Sequence, residues 1–250
     1  MRHQIMIKVD AIWEKENIGS NVIEITIEHD DVLQNADFEK QLSEYDYIVV
    51  KVPANKTDFN WYLGENGFTM IETQLKLSKD IKDFDLNDRF IKRLLPNVTY
   101  KIIEDESDIN LILNRITPNM FLTDRITLDP VFGTEIGCKR YKNYIRNSFL
   151  TKKLEIIGVF FKEHLVGFDM HQFKDGVCYG KLGGIFDDVK IPGLGFLTVC
   201  APLLFAHEKY GVTRFVPDIS TNNIPVFNLY DYFHFHIEGI TYVFVKHSKN

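Results

Sequence analysis

Cysteine is scarce in this 250-residue chain, and Cys138, Cys178 and Cys200 stand far apart. That spacing excludes a disulfide framework and a Cys-x-x-Cys metal site, and leaves three small buried hydrophobes. Long apolar runs are missing as well. No segment approaches the roughly 18 apolar residues of a membrane span, and charge interrupts residues 1–10 too early for a signal peptide. A soluble, cytoplasmic protein without a membrane partner is therefore expected. Basic excess is also lacking: the net charge is −6, so there is no global attraction to nucleic acid. An anionic substrate would have to be met by local positive groups. The absence of a short fixed repeat or a low-complexity tract excludes solenoids and tails.

What is present is a hydrophobic content of 45%, enough for one large domain or two ordinary ones. Strand patterns at Val22 to Ile27 and Tyr45 to Val52 flank a helical stretch from Val32 to Leu42. A helix from Thr57 to Glu65 and a strand from Phe68 to Leu77 complete a small α/β unit. The aspartate-rich stretch from Ser78 to Arg89 has little apolar periodicity and is expected to be a linker, dividing the chain into residues 1–90 and 91–250. After it the pattern predicts a strand at Val98 to Ile103 and helices within Asp105 to Ile116 and Glu135 to Phe149. Three strands follow, Leu154 to Phe161, Leu165 to Phe173 and Val177 to Phe186, joined by turns too short for anything but an antiparallel meander. Then come a helix from Phe196 to Tyr210 closed by Gly211, a strand at Arg214 to Asp218, a helix from Pro225 to about Tyr232, and a strand from Ile240 to Lys246.

Lys190-Ile-Pro-Gly193-Leu-Gly195-Phe-Leu lies at the entrance of the helix that starts near Phe196. A Lys-x-x-Gly-x-Gly turn there can direct several backbone N–H groups at one anion, or can be a plain turn. Some 35 residues on, Asn223 and Tyr230 are seven residues apart, so they project from one face of a helix. His234 and His236 alternate like strand residues and have no third ligand nearby, so no metal is expected.

In element order and at these two motifs, residues 98–250 resemble the GCN5-related N-acetyltransferase (GNAT) family. The resemblance implies a mixed α/β fold of the α+β type, with a mostly antiparallel central sheet flanked by helices and a smaller N-terminal α/β domain. It also implies acetyl-coenzyme A as cosubstrate. Lys190, Ile191, Gly193, Leu194, Gly195 and Phe196 then correspond to the family's pyrophosphate loop, with lysine in place of the usual glutamine or arginine fork. Pro192 removes one N–H, and the donors left to the loop are those of Gly193, Leu194, Gly195 and Phe196. Asn223 and Tyr230 match the family's Asn-x-x-Ala-x-x-x-Tyr, with Tyr230 as the acid that protonates the departing thiolate. Gly183, Gly184 and Ile185 match the place where two strands splay and bind the pantetheine arm, with the Ile185 N–H facing the thioester carbonyl. The proton acceptor stays open between Asp187, His171, His236 and a water relay.

Trp13 to Gly19, Tyr45 to Ala54, Gly67 to Leu77, Asp124 to Pro130 and Arg140 to Ile145 resemble TDP-fucosamine acetyltransferases and their relatives. This implies a nucleotide-linked amino-dideoxy sugar as acceptor in polysaccharide synthesis, its phosphates met by Arg125 and Arg140, with Lys139 and Arg146 nearby. Another small or protein amine, or a silent acyl-coenzyme A binding module, remains open. The same holds for a homodimer, and for a front unit that is a degenerate half of the same fold.

Overall fold

A computed structural model describes residues 6–33 and 42–248. The helix expected across Val32 to Leu42 falls largely on residues 34–41, outside the described residues. The front of the chain runs β1 (Ile7–Asp10), α1 (Ile12–Ile18), β2 (Val22–Thr26), β3 (Tyr47–Pro53), α2 (Thr57–Glu65) and β4 (Thr69–Asp80). A short helix, α3 (Arg89–Leu94), leads to β5 (Val98–Ile102), α4 (Glu106–Arg115), α5 (Arg125–Leu128) and α6 (Gly133–Thr151). The meander is β6 (Glu155–Phe161), β7 (His164–Lys174) and β8 (Val177–Ile185). After it come α7 (Leu197–Tyr210), β9 (Arg214–Ser220), α8 (Ile224–Tyr232) and β10 (His236–His247).

The mixed fold expected from the sequence is present: among the described residues ten strands form one sheet in the order β1-β2-β3-β10-β4-β9-β8-β7-β6-β5. All neighbours are antiparallel except β2–β3 and β8–β9. The meander turns work without a leading glycine because Lys162, Glu163 and Asp175 adopt positive φ, as tight hairpins with right-handed twist demand. Strand alternation decides which helix covers which face. On β3, Ile48, Val50 and Val52 pack with Phe59 and Leu63 of α2, while Tyr47 and Val49 pack with Ile126 and Val243 on the other face. Burying each such side chain contributes about 1.5–3 kcal/mol, so a strand apolar on both faces is held firmly in the sheet interior.

The stretch expected to be a linker is partly strand. β4 continues to Asp80 because Lys79 and Asp80 pair with Phe215 and Arg214 of β9. Asp88 then caps α3, accepting from the N–H groups of Phe90 (2.8 Å) and Ile91 (3.1 Å).

The last strand lies inside the front unit, between β3 and β4, while β4 lies between β9 and β10. The segments β3-α2-β4 and β9-α8-β10 also match element for element. They have lengths of 7, 9 and 12 residues each, and every start is displaced by the same amount (Tyr47 to Arg214, Thr57 to Ile224, Thr69 to His236). Each helix is followed by a residue of positive φ, Gly67 in one and His234 in the other, and then by phenylalanine, Phe68 or Phe235. The long strand of each segment lies beside strands of the other, β10 between β3 and β4 and β4 between β10 and β9.

Candidate active site

The two matching segments differ in one respect. β2 stays beside β3 from Val22–Tyr47 to Thr26–Lys51, and the Ile27 N–H extends the ladder to the Lys51 carbonyl at 2.9 Å. β8 stays beside β9 only from Val177–Arg214 to Gly180–Pro217. Two local causes act at that point. Lys181 is an extra residue in the β7–β8 ladder, a bulge that bends β8, and Pro217 brings no N–H to the β9 backbone. Beyond it, Leu182 to Ile185 pair with β7 alone while β9 continues along β4. The strands part around a cavity of about 550 Å3.

Gly183 and Gly184 lie on the parted edge of β8, and Ile185 closes it opposite Gly167. Glycine at 183 has a specific cause: a Cβ would sit 2.0 Å from Oδ1 of Asp169, its partner across the ladder. At 184 the nearest obstacle is the flexible end of Met120, 3.1 Å away.

The glycine turn opens at Gly193, whose φ of 87° is the left-handed conformation that favours glycine. A 3-10 turn over Leu194–Phe196 joins it to α7. Two of the four N–H donors expected here close the turn itself, Phe196 to Gly193 O at 3.1 Å and Leu194 to Ile191 O at 3.5 Å. The Leu194 side chain packs beside Leu94 and Leu197, and Phe196 stacks on Phe90 with ring centroids 4.6 Å apart. Ile191 is exposed. Lys190 Nζ folds back onto the carbonyl of Asp187 at 2.6 Å. A cation the sequence reading passed over stands at the turn: Arg93 of α3 places Nη2 3.3 Å from where a Gly193 Cβ would be. Its signal was the basic end of Arg89-Phe-Ile-Lys-Arg93, just beyond the stretch expected to be a linker.

Asn223 caps α8, its Oδ1 accepting from the Val226 N–H at 3.3 Å, and Tyr230 lies two turns along the same helix. Both line the cavity, so the structure brings together the pair expected from spacing. Tyr230 is 8% exposed, with its ring against Phe235 at 4.6 Å. Burial, reinforced by the charge of Asp169, raises its pKa, so the phenol holds its proton throughout the neutral range.

Of the three side chains named as proton acceptors, only His171 lines the cavity. Asp187 instead accepts from the Thr117 hydroxyl, and the exposed His236 begins β10 opposite Ser78. Burial lowers the His171 pKa to about 3, so the imidazole is neutral and a weak base. The stronger candidate is two residues away. Asp169 is 4% exposed, lines the cavity, and has no hydrogen-bond partner at Oδ2; burial raises its pKa well above the usual carboxylate range. The sequence signal was an acid within the apolar run Val166-Gly-Phe-Asp169-Met170, where Phe168 and Met170 face the α4/α6 core and Asp169 faces the opposite way.

The residues assigned to sugar phosphates stand in ion pairs of the protein's own. Arg125 binds Glu14 at 3.0 Å and also Glu24, Arg140 binds Glu14 at 2.7 Å, and Arg146 binds Glu106 at 2.6 Å. Lys139 donates to the carbonyl of Glu16 at 2.9 Å. Glu14 is fully buried in α1, so this network ties α1 and β2 to α5 and α6. Among the described residues no three His, Cys, Asp or Glu side chains are grouped to hold a metal, and no helix is long and apolar enough to cross a membrane.

Comparison with known proteins places the fold. No family model matches the chain, and no curated protein matches it. Among solved structures, a conserved protein of unknown function from Staphylococcus epidermidis ATCC 12228 matches with a TM-score of 0.63 at 14% identity, over 91% of this chain and 84% of that one. A GCN5-related N-acetyltransferase from Sphaerobacter thermophilus matches with a TM-score of 0.55 at 9% identity, over 82% of this chain and 60% of its own. A tandem GNAT protein from the clavulanic acid biosynthesis pathway gives 0.55 at 9% identity, over 92% and 76%. The chain thus has the fold of the GCN5-related N-acetyltransferases.

Proposed function

We propose that the protein is an N-acetyltransferase that moves the acetyl group of acetyl-coenzyme A to a primary amine. The observation that carries this reading is the parting of β8 from β9 at Lys181 and Pro217, which opens a strand edge, with Tyr230 and Asn223 lining the gap. The parted edge from Gly183 to Ile185 offers N–H and C=O groups to the amide-rich arm of the cosubstrate, and the Ile185 N–H is the donor for the thioester oxygen. The turn at Lys190 to Phe196, with the Gly193 and Gly195 N–H groups and Arg93, meets the phosphates.

In the transfer, the amine nitrogen attacks the thioester carbon, an N–C bond forms and the C–S bond breaks. Tyr230 gives its proton to the departing thiolate, and Asp169 takes the proton lost by the amine. A carboxylate raised by burial suits that task better than the neutral His171 beside it. A nucleotide-linked amino sugar is a narrower form of the same activity. The ion pairs that hold Arg125 and Arg140 weigh against it, because they leave its phosphates without the partners assigned to them.

We further propose that residues 1–90 are a degenerate counterpart of residues 91–250. Unbroken β2–β3 pairing speaks for one cosubstrate cleft in the protein. Titration calorimetry with acetyl-coenzyme A, together with turnover of an amine panel, tests the main reading. Saturable binding with product of the acetylated mass is expected; absence of binding contradicts it.

A further inference from the structure

The cavity that lies beyond Tyr230 is acidic. Glu72 of β4, Asp124 at the start of α5, Asp169 of β7 and Asp218 of β9 line it, and Lys181 is the one lysine or arginine among its lining residues. Glu72 is 5% exposed and Asp169 4%, and Asp169 Oδ2 and His171 Nδ1 are buried without a hydrogen-bond partner. A buried polar atom left unpaired costs stability, so its retention on a cavity wall points to a partner that arrives from outside. Four carboxyl groups on one cavity select against phosphate and for positive charge.

We propose that the acceptor is an aliphatic amine with a second ammonium group, a diamine or polyamine, whose reacting nitrogen meets Asp169 and whose remote ammonium is held by Glu72 and Asp124. This rests on the acetyltransferase reading above. The second charge supplies orientation: an ion pair at the far end holds the near nitrogen at the thioester. Glu72 is the better member of the remote pair to alter, because Asp124 also caps α5 through the Ile126 N–H at 2.9 Å.

The test compares kcat/KM for butylamine, 1,4-diaminobutane and an amino-sugar nucleotide, in the parent and in Glu72→Gln, with calorimetry of 1,4-diaminobutane alongside. The diamine should exceed butylamine by on the order of 10- to 100-fold, the worth of one charged hydrogen-bonded pair, and Glu72→Gln should bring the ratio of the two kcat/KM values close to one. Equal use of butylamine, or preference for the sugar nucleotide, overturns the inference and leaves the acetyltransferase intact. If no amine is acetylated, the acetyltransferase reading fails. The inference is then decided by calorimetry: diamine binding weakened in Glu72→Gln upholds the cation site, and no binding overturns it.

Discussion

Replacing Gly183 by alanine tests the packing of the site at atomic scale. The new Cβ would lie 2.0 Å from Asp169 Oδ1, 3.0 Å from its Cγ and 3.1 Å from the Phe168 carbonyl oxygen. Real carbon atoms do not approach an oxygen to 2.0 Å, and Asp169 is a short side chain with few rotamers, so the carboxylate must rotate or the strands must part. Overpacking of this kind costs about 1–3 kcal/mol. For a chain of this size that lowers Tm by about 2–10 °C, and the displaced carboxylate should also cost turnover. Gly195→Ala is the matched control: its Cβ meets Leu229 Cδ1 at 3.4 Å, an ordinary contact, so Tm should stay within about 2 °C. The decisive comparison is a cycle with Asp169→Ala, which removes the obstructing atoms. If the geometry is right, Gly183→Ala becomes cheaper by about 1–2 kcal/mol in the Asp169→Ala background, measured by thermal or urea unfolding. Strict additivity of the two changes would refute the argument.

Other outcomes follow from the ion pairs and the buried carboxyls. Arg125→Met leaves the buried Glu14 with Arg140 as its one cation and strips the nearest cation from Glu24, so unfolding free energy should fall by about 3–5 kcal/mol, while acetyl-coenzyme A affinity in the folded fraction is unchanged. Burial alone would raise Glu24, but the charges of Arg125, Lys51 and Arg140 outweigh it and leave its pKa below 4.5. Its stabilising contribution is therefore present above 4.5 and lost as pH falls below it, and Glu24→Gln should flatten the acid limb of the stability curve. Asp169 has the opposite sign. Its folded pKa lies above 3.8, so the native state binds the extra proton and stability declines as pH rises from 3.8 toward the raised value. Asp169→Asn should remove that decline and gain stability at neutral pH while losing activity, seen by urea unfolding across pH and by turnover.

Local pattern carried much of the architecture. The helix expected at Thr57 to Glu65 has those bounds, the three meander strands each begin and end within a residue of their expected positions, and Gly211 closes α7 with a φ of 61°. What escaped depended on partners remote in sequence. The stretch from Ser78 looked solvated because its charges have no local periodicity, yet β4 runs on through it because β9 pairs with it from 134 residues away, as Asp80 and Arg214 show. No element was expected around Glu14, where α1 lies; its burial rests on Arg125 and Arg140, the first of them 111 residues further along. The place of β10 between β3 and β4 is invisible to any window, because the local pattern of a strand does not say which strands flank it. Around the candidate site, the shared helix of Asn223 and Tyr230 and the turn at Gly193 were legible because helical spacing and left-handed φ leave local marks. Asp169 and Glu72 were not, since a lone acid on a strand looks the same whether it faces solvent or a cavity.

Tyr230 is proposed as the acid of an acetyl transfer within this cleft. Tyr230→Phe removes the hydroxyl and leaves the ring that packs on Phe235 at 4.6 Å, so fold and acetyl-coenzyme A binding should be retained. Measured side by side by calorimetry and by acetylated-product formation, the variant should bind within about twofold of the parent and lose about 10²- to 10⁴-fold in kcat. Turnover equal to the parent with binding intact would contradict the account.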